Sequence, residues 1–279
     1  MLPSACRNAP GAVLIQLKRV PGQTITHRQV LKASVRSFWN DSLVYNVYRE
    51  GVSDIENRTI RIGADSVAES EVTITHDFAR RPAGGPPDSS KTQTEKYRIQ
   101  YLEYIKPNGR LVDLAFTGDK PKSDTAWVRQ YFQQAFPVFP EQPVQPGYSW
   151  IQTTEVRLPD EPSEASTTFA VKSFARERGY DCVIIGYDGI CVVPIRPQSP
   201  GEMGQFVDGV DRISISGHIY FAYDQGFVVT EREHSRMVGN YTVVDKCGDT
   251  VSYRTEIESD VEISLLSVDT VADTTAAVP

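Results

Sequence analysis

A chain of 279 residues can form one large or two medium domains with a substantial core. Its formal net charge of -7 argues against nucleic acid, which needs clustered Lys and Arg. Four Cys, at positions 6, 182, 191 and 247, form no CxxC, which argues against a tetrahedral zinc site. No apolar run reaches the roughly 20 residues of a membrane span.

At the start of the chain, Leu2-Pro3-Ser4-Ala5 places small residues directly before Cys6. That arrangement is found at bacterial lipoprotein cleavage sites, so Cys6 is a candidate for lipid attachment and membrane anchoring. A chain trimmed to its mature start would look like this, with no apolar leader before residue 10.

Pro21-Gly22-Gln23-Thr24-Ile25-Thr26 opens a long alternating stretch, with a strand expected at 24–35. Phe38 to Tyr48 fits either a strand or the end of a helix begun near His27. Strands are expected at 70–78, 95–105 and 110–116, the last two joined by a Pro107-Asn108-Gly109 turn. Arg80 to Ser90, rich in Pro and Gly, reads as a loop. A helix is expected at 123–136, capped by Ser123 or Asp124, with Trp127, Val128, Tyr131, Phe132 and Ala135 at helical spacing. Phe136-Pro137 stops it, and Pro140, Pro143 and Pro146 keep the next segment extended.

Pro146-Gly147-Tyr148-Ser149-Trp150-Ile151 then repeats the opener. Strands follow at 148–158, 167–176, 180–187, 190–195, 213–223, 226–238 and 251–265, with a loop at 197–204. The hairpin Ile219 to Val229, turning at Asp224-Gln225-Gly226, matches the earlier one at 101–112. Gly217 interrupts an apolar strand face, where a bend or bulge is expected. From Val251 to Leu265 the odd positions are mostly apolar and the even positions polar, which is one dry and one wet strand face. Cys182 and Cys191 bracket a hairpin-like stretch. They oppose each other if its loop centres on Gly186-Tyr187, and cannot bridge if it centres on Asp188-Gly189. The pair is a candidate disulfide, with buried free thiols as the alternative. Residues 267–279 lack periodicity and read as a disordered tail.

Chemistry-bearing motifs are scarce. The histidines at 27, 76, 218 and 234 have no paired metal spacing, and there is no nucleophile elbow, phosphate loop or dinucleotide fingerprint. Glu231-Arg232-Glu233-His234 is the densest cluster. On a strand its two Glu share one face and His234 takes the other, so it reads as a solvated strand face. No catalytic residue, metal ligand or cofactor is assigned. Tyr148 and Trp150, with Tyr253 and Ile257 on the long dry face, are the candidate lining of an apolar cavity in a curved sheet.

The run Phe136-Pro137-Val138-Phe139-Pro140, through Pro143-Val144, to Pro146-Gly147-Tyr148-Ser149-Trp150 resembles the mid-chain motif of an uncharacterised bacterial envelope family. Tyr180 to Ile185 and Gly217 to Gly226 look like that family's downstream elements. The resemblance covers roughly residues 20–240 and implies an exported or lipoprotein location without an assigned activity. A looser similarity, in pattern alone, is to the curved half-barrels of bacterial lipoprotein carriers.

The sequence therefore predicts a mainly β (β-rich α+β) protein of two related, long-stranded, curved antiparallel sheets or half-barrels with a linking helix. The expected divisions are 11–120, a helix and Pro-rich linker at 121–145, 146–266, and the tail at 267–279. The expected function is non-enzymatic: a cell-envelope module, periplasmic or membrane-anchored, that holds an apolar or lipid-like ligand. A scaffold that pairs through its sheet edges is the alternative, and an enzyme with an unrecognised site is the third.

Overall fold

The computed structural model describes residues 11–82, 92–117, 136–157, 162–195 and 205–270. They form eleven strands: β1 (Gln23–Trp39), β2 (Ser42–Ile62), β3 (Ala68–Pro82), β4 (Gln93–Ile105), β5 (Leu111–Phe116), β6 (Ser149–Arg157), β7 (Pro162–Glu177), β8 (Tyr180–Ile195), β9 (Gln205–Ala222), β10 (Phe227–Val244) and β11 (Thr250–Thr270). All eleven lie in one sheet, in the order β5-β4-β3-β2-β1-β11-β10-β9-β8-β7-β6. Each neighbouring pair is antiparallel.

This corrects the expectation of two sheets. Two consecutive meanders, β1 to β5 and β6 to β11, fuse into one open sheet because the first strand pairs with the last from Gln23↔Thr270 to Trp39↔Tyr253. No helix occurs among the described residues, and the helix expected at 123–136 lies, but for its last residue, outside them. The loops expected at 80–90 and 197–204 also fall largely outside, as does Cys6. β11 runs on to Thr270, so the first residues of the expected tail are strand.

Local chemistry accounts for the turns. Asn40 and Asp41 both have positive φ, 46° and 62°, and form the two-residue turn between β1 and β2. Asn and Asp tolerate this conformation, and its twist suits a hairpin. The ambiguous stretch from Phe38 to Tyr48 is therefore a strand end, a turn and a strand start. Arg178 and Gly179, at 49° and 90°, turn β7 into β8 in the same way.

At one end of the sheet the strands are tied together. Segment 13–18 runs between the two matching hairpin turns: the Leu17 N–H donates to Pro107 O (2.7 Å) and the Lys18 N–H to Gly226 O (3.2 Å). Val13 pairs with Val144, and the Phe139 N–H donates to Asn108 O at 2.7 Å. Both turn glycines are required by these approaches. A Cβ on Gly109 would sit 2.6 Å from Pro137 O, and one on Gly226 2.2 Å from Lys18 N, at φ of 84° and 78°. The main core lies here, where Ile15, Phe139 and Val144 pack with Ala68 and Ile105 of the first meander and with Phe169, Val183, Ile185 and Phe221 of the second. A second cluster gathers Ile25, Cys182, Phe227, Val229 and Leu265, and a third gathers Val72, Ile74, Tyr101 and Leu114.

Cys182 and Cys191 lie on one continuous strand, β8, and both are free thiols. The expected hairpin between them is absent. At about 3.3 Å per residue, their separation along the strand far exceeds the reach of a disulfide. Burial pushes the Cys182 thiol up to about 12, whereas Cys247 is exposed. In the native protein a maleimide should modify Cys247 readily and Cys182 only after denaturant is added, as read by peptide mapping. Equal labelling rates would contradict the burial of β8.

Candidate functional site

Because neighbouring strands are antiparallel and their bulges lie away from the middle of the sheet, one sheet face can be followed there from strand to strand. Starting on β2, the cross-strand partners are Val47, Val35, Ile257, Met237, Ile213, Cys191 and Ala165. This apolar row crosses seven strands without a charged residue. Val35 and Val47 are buried, while Ile257, Met237 and Ile213 are half-buried and belong to none of the three core clusters. On the same face of β11, Val251 and Leu265 are buried at 8% and 7% exposure, yet the positions between them stay half-open. The apolar face is thus sealed near both ends of β11 and uncovered in the middle by any described segment.

The other face is charged. Along β1, β10 and β11 it presents Arg28, Lys32 and Arg36, then Arg232, His234 and Arg236, then Glu256, Glu258, Asp260 and Glu262. Arg28–Asp54 at 2.8 Å is an exposed pair screened by solvent, and in Arg36–Glu256 at 3.0 Å the carboxylate is half-buried. A groove of about 680 Å³ crosses this face and includes Lys32, Lys172, His218, Arg232, His234, Asp260 and Glu262 in its lining. Much of its charge is internally matched, with His234 2.9 Å from Asp260 and Arg232 3.8 Å from Glu262.

The expected ligand-lining residues do not form one site. Trp150 stacks on Phe169 (5.2 Å, 16°) and Tyr148 lies 6.2 Å from Trp150, both packed on the main core at the tied end. They are structural anchors of β6. Tyr253 packs between Trp39 (6.1 Å) and Tyr241 (5.8 Å), towards the other end of the strands. Only Ile257 stands at the centre of the open apolar row, five strands from β6 in the sheet order.

The reading of Glu231 and Glu233 as solvated is corrected. Both lie on the apolar face, in the rows next to Ile219 and Gly217, and converge on Tyr187, whose hydroxyl is 3.0 Å from Glu231 Oε1 and 3.1 Å from Glu233 Oε2. The Tyr187 O–H carries a single proton, so both contacts are hydrogen bonds only when one carboxyl is protonated. Burial, reinforced by the charge of Glu233, accordingly raises Glu231 to about 7, and burial raises Glu233. Gly217 makes room for this cluster. A Cβ there would meet the Tyr187 hydroxyl at 2.6 Å, so the glycine seats a ring where the sequence suggested a bulge, and β9–β10 pairing is regular at that point. The period-2 pattern already placed the two Glu together. What it lacked was the opposing Tyr187, two strands away. His27 is a second buried polar group: its Nε2 lies 2.8 Å from Val228 O, and burial lowers its pKa.

The described residues thus form a single open antiparallel β-sheet with one mainly apolar and one charged face. No family model and no curated protein matches it. Among solved structures it is similar to one described as lipid-protein interactions in lipovitellin, with a TM-score of 0.50 and 13% identity over 93% of this chain. The match covers 27% of that protein's chain, and at this identity the likeness shows the fold alone. An outer membrane channel from Pseudomonas putida F1 aligns with a TM-score of 0.27 at 8% identity, over 88% of this chain and 97% of its own. No helix among the described residues is long and apolar enough to cross a membrane.

Proposed function

We propose that this protein binds an apolar or amphipathic, lipid-like molecule on the open apolar row centred on Ile257, Met237 and Ile213, and that it does so without catalysis. The observation that carries the reading is the row itself: apolar side chains paired across seven strands, half-buried at the centre and part of no core cluster. Contiguous apolar surface of this kind marks a binding site. The lipovitellin-like fold supports the reading, since that structure is described in terms of lipid-protein interactions. The non-enzymatic part is supported by the self-contained Tyr187–Glu231–Glu233 cluster, in which both carboxyl groups face the one Tyr187 hydroxyl. An envelope location is part of the proposal and draws on the small residues before Cys6 and the sequence resemblance.

The test is a titration of delipidated protein with N-phenyl-1-naphthylamine, a neutral apolar fluorophore. Saturable binding is expected, weakened roughly tenfold or more when Ile257→Asn and Met237→Asn are combined, since each exchange removes on the order of 1 kcal/mol of apolar contact. Non-saturable binding, or affinity unchanged in the double variant, would overturn the assignment. A second reading rests on the edge strand β6, where Ile151 is 67% exposed. A partner strand paired with that edge would give a defined oligomer on a sizing column.

A further inference from the structure

Beside the apolar row, one register along, the same face carries two arginines directly opposite each other: Arg49 on β2 and Arg80 on β3. Arg49 is flanked on β1 by Ala33, and the next register away from the apolar row holds Gly51 and Phe78. Like charges directly opposite in a sheet repel. Among the described residues no carboxylate forms an ion pair with either guanidinium, although Glu95 sits one register away on β4. The Arg49 Nε atom is buried and has no hydrogen-bond partner. Arg80 is held in place by Tyr45: its guanidinium lies over the Tyr45 ring at 5.2 Å and donates a hydrogen bond to the Tyr45 hydroxyl. A fixed guanidinium facing a second one with an unmet buried donor is suited to bind an anion. Arginine forks match carboxylate and phosphate oxygens bidentately.

We propose that Arg49 and Arg80 form the headgroup site of the ligand, taking a carboxylate or phosphate monoester whose apolar tail runs past the buried Val47 and Val35 and lies along Ile257 and Met237. This rests on the function proposed above and adds the chemical class: an anionic, single-headed amphiphile. Val47 and Val35 are the neighbours of Arg49 and Ala33 along their strands on this face, so the charged head and the first part of the tail lie in adjacent registers.

The experiment compares dodecanoate, dodecyl phosphate, 1-dodecanol and inorganic phosphate by calorimetry on the delipidated full chain, with N-phenyl-1-naphthylamine as the neutral reference. The two anionic amphiphiles should bind about tenfold or more tightly than dodecanol. In the Arg49→Gln, Arg80→Gln double variant that preference should vanish, while dodecanol and the fluorophore bind as before. Arg49→Lys, which keeps charge without the fork, should fall between. Equal affinity for dodecanoate and dodecanol, or a preference that survives in the double variant, would overturn the headgroup site while leaving the apolar row intact. If dodecanol and the fluorophore fail on the wild type, the proposed function falls instead. Arginine-dependent binding of inorganic phosphate would then keep the anion site and reassign its ligand to free phosphate, and no phosphate binding would overturn it too.

Discussion

Phe139→Ala will lower the unfolding free energy by about 3–5 kcal/mol, the range for deleting a fully buried phenyl ring. Phe139 is only 2% exposed, and its ring meets Phe221 at 5.0 Å and Phe136 at 5.7 Å. It sits on a segment without regular secondary structure, tied to the β4–β5 turn through Asn108 and to β6 through Gln152, which accepts from the Val138 N–H at 2.7 Å. Its loss therefore opens a cavity where the two meanders share a core and where no strand pairing compensates. Urea unfolding followed by tryptophan fluorescence should show the shift as a lower midpoint at unchanged slope. A loss below about 1 kcal/mol would mean that the segment is a peripheral strap and the tied end has a different core.

Glu231→Gln will stabilise the protein at pH 8 by about 1–3 kcal/mol and do little near pH 4. The sign follows from linkage. Burial and the charge of Glu233 raise Glu231 from the ordinary 4.5 to about 7, so between those values the folded state binds more protons than the unfolded one. The contribution of Glu231 to stability is therefore fully present below about pH 4.5, is lost as pH rises towards 7, and changes no further above it. Glutamine keeps the shape and a hydrogen bond to Tyr187 and removes the charge that becomes costly. Unfolding midpoints of both proteins at pH 4, 6 and 8 would check this. A variant less stable than the wild type at pH 8 would show that the ionised pair contributes favourably.

How much of this was legible in the sequence differs by element. β11 could be read because Tyr253, Ile257, Val261 and Ile263 alternate with Arg254, Glu258, Asp260 and Glu262, and its whole length is one strand. β2 could not: Arg49, Glu50, Ser53, Asp54, Glu56 and Arg58 blur its period, and it is a strand because β1 and β3 pair with it on both sides. The openers and hairpin turns were visible, since Gly22, Gly147, Gly109 and Gly226 all take the positive φ that glycine suits. Fusion into one sheet was hidden because the β1–β11 pairing joins the two ends of the chain, and local pattern carries no signal of so distant a partner. The site was legible only in part. Ile257 was found because it belongs to a long dry face. Met237, Ile213 and Arg49 were not, because a row running across strands appears only once every register is known.

Binding of a lipid-like ligand on the apolar row can be read out by photo-crosslinking with a diazirine-bearing fatty acid and peptide mapping of the adducts. Saturable labelling is expected on peptides that carry Ile257, Met237 and Ile213, competed away by unlabelled fatty acid. Labelling confined to charged-face residues such as Ile190 and Val192, or labelling that no competitor reduces, would contradict it.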